Sequence, residues 1–275
     1  LFWLASYYAT CGKLSAGLAL GEEMLAIVQE YESDELQTIL AHLMTGLPLF
    51  HMGRFSEAYL HFQQAAAAYR PHKHQALASR IGQDPGIASL IWLGQTNIHF
   101  GYLEQAQQFF QEALAQTEMV DHPYTLAFSL LMAGVTPSNY FKRYGTALLY
   151  ARSLLDLAQK EGFGYFQLLG MFYLGLHQVL QALANGGIQS ETQIKEGIAQ
   201  MEQALALARD CGSPLGMSSH LINLAGVYGQ IGRIQEGLQL LDEAQTFVNR
   251  NGSHYFEPEL YRVKGELLQH GSSHL

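Results

Sequence analysis

Between Ile87 and Gln116, apolar side chains recur every three or four residues, pause at Gly101-Tyr102, and then recur again. The first run carries Leu90, Leu93, Gly94 and Ile98. The second carries Leu103, Ala106, Phe109, Phe110, Ala113 and Leu114. This spacing lays one apolar stripe on each of two helices, and the pause folds them back on each other. A small residue stands inside each stripe, at Gly94 and Ala106. Glycine within a helix costs about 1 kcal/mol relative to alanine, so close approach of a partner helix is the expected reason for it.

The same figure repeats along the chain. A first pair over about 1–30 has Leu4, Ala5 and Tyr8, a turn at Gly12, then Gly17, Gly21 and Met24. A second over about 34–70 has Leu43, Gly46 and Leu49, a turn at Gly53, then Ala58, Phe62 and Ala65. Pro48 within it removes one backbone bond and is expected to kink or loosen the helix. A connection, 71–86, leads to the third pair, over about 86–117. The fourth, about 124–160, is interrupted at Thr136-Pro137-Ser138 before Ala147, Ala151, Leu154 and Leu155. The fifth, about 165–210, has Met171, Leu174 and Gly175, an insertion near Asn185-Gly186-Gly187, then Gly197, Met201 and Ala204. The sixth, about 214–250, has Leu221, Leu224, Ala225 and Tyr228, a turn at Gly232, then Gly237, Leu241 and Ala244. A last helix, about 258–270, has no partner. Asp84-Pro85 and Ser213-Pro214 look like an N-cap followed by proline in the first turn, a role also expected of Pro123 and Pro258.

A large residue, leucine and glycine, then a turn glycine, then alanine, phenylalanine and alanine is the pattern of the tetratricopeptide repeat. The expected fold is all-α: one domain over 1–275, a right-handed superhelical solenoid of tetratricopeptide-like helix pairs with a terminal capping helix. The step from Gly12 to Gly53 is 41 residues and from Gly53 to Gly101 is 48. Both exceed the roughly 34 of an ordinary array, so the helices or connections run long.

Composition narrows the use of such a stack. Hydrophobic residues make up 48% and charged residues 14%, which suits a folded chain. A formal charge of -9 with scattered Lys and Arg argues against a nucleic-acid surface. Cys11 and Cys211 stand in no metal spacing and suit a reducing compartment. No apolar run reaches the roughly 18 residues of a membrane span. The opening Leu1-Phe2-Trp3-Leu4 reads as a helix already under way, and a fragment of a larger cytoplasmic protein is expected.

Two stretches carry a family resemblance. His74-Gln-Ala-Leu-Ala-Ser-Arg80-Ile-Gly-Gln83-Asp84-Pro85-Gly86 is one; Glu257-Pro-Glu259-Leu-Tyr-Arg262-Val-Lys264-Gly265-Glu-Leu-Leu268 is the other. With the long period, they resemble the C-terminal helical-repeat domains of bacterial signal-transduction ATPase regulators, in the branch linked to adenylate and guanylate cyclases. The resemblance implies a sensor or partner-binding arm, with catalysis elsewhere in the polypeptide. The interrupted fourth pair and the insertion in the fifth depart from the family pattern and leave the register there open.

Catalytic and cofactor motifs are sparse. Gly12-Lys13-Leu14 lacks the preceding glycine and the hydroxyl of a phosphate loop, and Gly162-Phe-Gly164 lacks the third glycine of a dinucleotide fingerprint. His72 and His74 could share a metal, but two ligands in a solvated loop are weak grounds for one. No cofactor, metal or catalytic residue is assigned. His51 and His99 fall at matching places near the ends of two first helices, either as exposed helix ends or as a polar pair lining an inner groove.

A concave groove built from the first helix of each pair is the candidate site. Counting from each small residue, its wall comprises Leu43, Leu47, Phe50 and His51 in the second pair, and Ile91, Gln95, Ile98 and His99 in the third. Met132, Thr136, Asn139 and Tyr140 follow in the fourth, and Ser219, Ile222 and Gln230 in the sixth. The lining is apolar, with a few hydrogen-bonding groups and almost no charge. It therefore predicts an apolar or amphipathic protein or peptide segment rather than an anion. The equally open alternative is that these side chains merely pack against one another in a tight superhelix. Two functions fit: a non-catalytic protein- or peptide-binding module, or a small-molecule or short-peptide sensor governing a linked ATPase or cyclase. Neither nucleic acid nor membrane is an expected partner, and repeat faces without a cap at both ends would permit self-association.

Overall fold

The computed structural model describes residues 1–31, 34–74, 78–186, 188–210 and 216–272, so Gly187, Cys211 and Ser213-Pro214 lie outside the described residues, as do positions 75–77 of the first family-like stretch. Every regular element among the described residues is helical, and successive helices pack antiparallel into a repeat solenoid. The first two pairs are α1 (Phe2–Thr10) with α2 (Leu14–Glu30), and α3 (Glu35–His51) with α4 (Phe55–Ala68). Two short turns, α5 (Pro71–His74) and α6 (Ala78–Ile81), occupy the connection before α7 (Pro85–Phe100) and α8 (Leu103–Thr117). The fourth pair sets α9 (Pro123–Ser129), a π-helical turn (Leu130–Val135) and a 3-10 turn (Thr136–Asn139) against α10 (Tyr144–Glu161). Then come α11 (Gly164–Asn185) with α12 (Ile188–Asp210), α13 (Met217–Gln230) with α14 (Ile234–Asn251), and finally α15 (Glu257–Ser272).

One contact recurs inside the pairs. A Cβ added at Gly46 would lie 2.6 Å from the Phe62 ring, one at Gly94 2.5 Å from Phe110, and one at Gly134 2.6 Å from Tyr150. In each case the ring stands sixteen residues after its glycine and lies flat on the bare backbone. Buried Phe62 and Phe110 thereby fill the space a side chain would occupy. In the fifth pair two backbones meet directly, Gly175 against Gly197. The Ala225 carbonyl lies 3.2 Å from where a Cβ on Gly237 would stand.

The turns between paired helices share a second device. Gly12, Gly53, Gly101 and Gly232 all have φ between +70° and +81°. The residue after the turn donates back to the helix, as Arg54 N–H does to Leu49 O (2.9 Å) and Arg233 N–H to Tyr228 O (2.8 Å). Lys142 occupies the same place in the fourth pair, at φ 52°, with Arg143 N–H on Ser138 O at 3.0 Å.

Proline acts differently at its two interior positions. Helix α3 runs on through Pro48 to His51, because only the bond to the Met44 carbonyl is lost and Met52 N–H still donates to Pro48 O at 2.9 Å. In the fourth pair the backbone loosens before Pro137. Thr136 N–H reaches Leu131 O, one residue further back than in an α-helix. The Met132 carbonyl is then left for side chains, and the Gln95 amide takes it at 2.6 Å. The partly buried Phe128 and Met132 in this segment touch all three apolar clusters of the stack.

The connection after α4 is anchored by a buried carboxylate. Asp84 caps α7 by accepting from Gly86 N–H and Ile87 N–H, both at 2.9 Å, and also accepts from Tyr69 OH at 2.7 Å. Thr125 Oγ1 accepts the Asp84 N–H at 2.9 Å, which ties the third pair to the fourth. His122 caps α9 ahead of Pro123, and Pro258 is the second residue of α15.

The terminal helix, expected to lack a partner, packs on both α13 and α14 through buried Leu260, Val263 and Leu267. Leu267 takes the space beside Gly229 and Gly237, so the sixth pair is covered. The segment leading into α15 crosses to the second pair. Tyr255 N–H donates to His51 O at 3.1 Å, and His254 lies beside Gly53. The sixth pair is thus stitched to the second, and the concave side of the solenoid becomes a bounded cavity.

Candidate ligand cavity

The first helices of five successive pairs, α3, α7, the α9 to 3-10 segment, α11 and α13, line a cavity of about 990 Å³, joined by residues of α1 and by Tyr255 and Phe256. Leu43, Leu47, Phe50 and His51 face it from α3. Gln95 and His99 do so from α7, and Met132, Thr136, Asn139 and Tyr140 from the fourth pair. Ser219 does so from α13. The remaining four residues of the expected groove stand elsewhere. Ile91 and Ile98 are turned one step round α7 into the apolar cluster of Phe110 and Ala106, and Ile222 is fully buried beneath α13. Gln230 is exposed at the end of its helix.

Several wall residues lie outside the expected groove. The wall of α7 runs Ala88, Trp92, Gln95, His99, at four- and three-residue steps one position away from Ile91 and Ile98. In α11 the wall is Tyr165, Phe166, Leu169 and Tyr173, a stripe at helical spacing in the pair whose register the sequence leaves open. His220 and Asn223 complete α13. Tyr255 carries no local signal, since it reaches the wall only through the crossing that joins α14–α15 to α3.

Aromatic rings dominate the lining, including Trp3 and Trp92, which are both tryptophans of the chain. Phe50 is the hub on one side, with Trp92 at 5.1 Å, His99 at 5.3 Å, Phe55 at 5.4 Å and Tyr255 at 5.7 Å between ring centroids. His99 stacks on Phe55 at 4.1 Å, nearly parallel. Tyr140 and Tyr165 leave 42% and 46% of their surface uncovered while lining the cavity, so open aromatic surface is turned inward.

Burial removes charge from the wall. His51 and His99 are both inside, and desolvation holds each imidazole down to about 4, with His99 adding to the effect on His51. His220, edge-on to Phe172 at 4.6 Å, is lowered to about 4 by burial. The phenols of Tyr140, Tyr165 and Tyr173 are pushed above the usual range, first by burial and then by neighbouring phenols, Tyr255 foremost. Among the described lining residues Glu259 is the one carboxylate, and Arg262 grips it with two bonds at 2.6 and 2.7 Å.

The other histidine pair is split, and among the described residues only His74 has a structural contact. His74 turns inward, where its Nδ1 accepts Arg70 N–H at 2.9 Å and its Nε2 lies 3.7 Å from Glu35, while His72 is exposed. Among the described residues no three histidine, cysteine or acidic side chains gather as a metal site. Also among them, no helix is long and apolar enough to cross a membrane. What the cavity wall offers is apolar surface, ring edges and a small set of hydrogen-bonding groups.

No family model matches the chain, and no curated protein does. Among solved structures it is similar to a candidate kinesin light chain of Podosopora anserina with nearly identical TPR-like repeats. Identity is 18%, with 76% of this chain and 94% of that chain covered, at a TM-score of 0.45. A glutamine-to-methionine variant of that protein gives 17% identity, the same coverage and a TM-score of 0.46. The helix-pair architecture rests on this chain's own packing: it is an all-α helical-repeat solenoid.

Proposed function

We propose that this chain is a non-catalytic binding module whose cavity receives an uncharged, largely apolar guest, and that it serves as the sensor or partner-binding arm of a larger bacterial signalling protein. Stacked helix pairs in general offer a concave face for binding. The observation that carries the reading is the wall itself: five first helices turn aromatic and aliphatic side chains onto one hollow, with no unpaired formal charge among them. Uncovered apolar surface of this kind is stabilised by an apolar occupant and repels an ion, whose desolvation nothing there would offset. The family resemblance of the two quoted stretches supports the signalling role. A short guest fits better than a long threaded peptide, because Tyr255 pins one side of the groove to His51.

Titration with N-phenyl-1-naphthylamine, a neutral fluorescent probe, tests the reading. The intact chain should bind it one-to-one. Leu47→Arg and Leu169→Arg, which put a cation into the hollow, should abolish binding. Leu149→Arg on the outer surface should leave it unchanged. Equal binding by all four proteins would refute the cavity as the binding site.

A further inference from the structure

Several hydrogen-bonding side chains on the cavity wall are already engaged within the protein. The Gln95 amide donates to Met132 O at 2.6 Å and to Thr136 Oγ1 at 3.1 Å. Thr136 Oγ1 donates to Met132 O, Ser219 Oγ donates to Gly216 O at 2.7 Å, and the Asn223 amide donates to Ser219 O at 2.9 Å. A guest held by its backbone, as an extended peptide is, would need those amides free along its length.

Two buried groups stand apart. His51 is only 5% exposed and lines the cavity, yet neither ring nitrogen has a hydrogen-bond partner. Asn139 Oδ1, on the same wall, is likewise buried without one. A buried polar atom left unpaired destabilises the fold by an amount comparable to a lost hydrogen bond, so a persistent one calls for a partner. A neutral imidazole offers one donor and one acceptor, and Asn139 Oδ1 accepts. Around them stand ring faces and edges: Phe50 and Trp92 next to His51, and Tyr255 at 5.0 Å from it.

Resting on the reading of the cavity as the binding site, we propose that its ligand is a compact neutral small molecule, with a flat aromatic or polycyclic body and a hydroxyl or similar group that hydrogen-bonds to His51 once the imidazole, whose nitrogens are both covered, turns one of them toward the guest. The body lies among the rings of Phe50, Trp92 and Tyr255, which favour offset and edge-on ring contacts. About 990 Å³ is the upper end of the range for small-molecule sites, so a two- or three-ring guest fits within the hollow.

Calorimetric titration with 1-naphthol, naphthalene, naphthalene-1-sulfonate and a blocked hexapeptide of leucine, phenylalanine and glycine tests the proposal. The intact chain should bind 1-naphthol about tenfold more tightly than naphthalene, the worth of one good hydrogen bond, and should reject the sulfonate. His51→Leu removes an unpaired polar group and should melt no lower than the parent, while reducing that preference to within about twofold. His51→Gln, which keeps a donor and an acceptor, should retain most of it. Equal affinity for naphthol and naphthalene in the parent, or an unchanged preference in His51→Leu, overturns the proposal. So does tighter binding of the sulfonate. Binding of the hexapeptide but of neither naphthol nor naphthalene also overturns it while leaving the cavity a binding site. Failure of every probe to bind overturns the cavity reading itself.

Discussion

Gly94→Ala should destabilise the protein, although the same change in most helices stabilises it. Alanine in place of glycine gains about 1 kcal/mol of helix propensity. Against that, the new methyl would stand 2.5, 2.9 and 2.9 Å from three atoms of the Phe110 ring. The ring is 3% exposed and packed among Ile91, Ile98, Ala106 and Ala113, so it cannot swing away without opening the cluster. Overpacking of this kind costs about 1–3 kcal/mol, and a ring with no free side places it in the upper half. The net loss is therefore about 1–2 kcal/mol, a fall in Tm of roughly 2–4 °C for a chain of this size. Gly265→Ala is the control. It also sits within a helix but has nothing within 4 Å of its added Cβ, so it should gain about 1 kcal/mol. Urea unfolding of both variants, with Gly94→Ala/Phe110→Leu as the relieved partner, reads the signs directly. If Gly94→Ala raises the midpoint as Gly265→Ala does, the ring-on-glycine contact is not what holds the pair together.

Further outcomes follow from the turns, the caps and the buried histidines. Lys142→Gly should stabilise by about 1 kcal/mol, since a left-handed backbone strains a lysine, and an unchanged urea midpoint would contradict the φ of 52°. Asp84→Ala should cost about 3 kcal/mol, losing the α7 cap and leaving Tyr69 OH unpaired, whereas Asp84→Asn should cost clearly less; equal losses would argue against the shared carboxylate. His51, His99, His177 and His220 are held near 4 by burial, against an ordinary value of 6.5. The unfolded chain therefore takes up protons first as pH falls. Stability is full above about 6.5 and declines by about 1 kcal/mol per pH unit for each histidine down to about 4. A Tm that stays level between about pH 7 and pH 5 would show that these rings are not buried neutral.

The helix-pair architecture was legible because its determinants are local. Gly94 and Phe110, or Gly53 and Arg54, announce the packing and the turn within a single repeat. The wall of the cavity was legible in part, where small residues set the register, as from Gly46 to Phe50 and His51. A rotation of one residue on α7 exchanged Ile91 and Ile98 for Ala88 and Trp92, since the small residue marks the side facing the partner helix but not the angle of the neighbouring pair. Pro137 hid the fourth segment's geometry, because loosening to a π turn depends on Gln95 of another helix taking the freed carbonyl. Tyr255 was out of reach altogether: its place depends on the last pair meeting the second across the whole stack.

Occupancy of the hollow by an uncharged guest can be read directly at its wall. Both tryptophans line it, so a protein labelled with ¹⁵N at the indole shows just two resonances, from Trp3 and Trp92, and both report on the cavity wall. Titration with 1-naphthol should shift the Trp92 indole resonance progressively, saturating at one equivalent, with a smaller shift at Trp3. Binding by calorimetry with both resonances unmoved would place the ligand elsewhere and contradict the account.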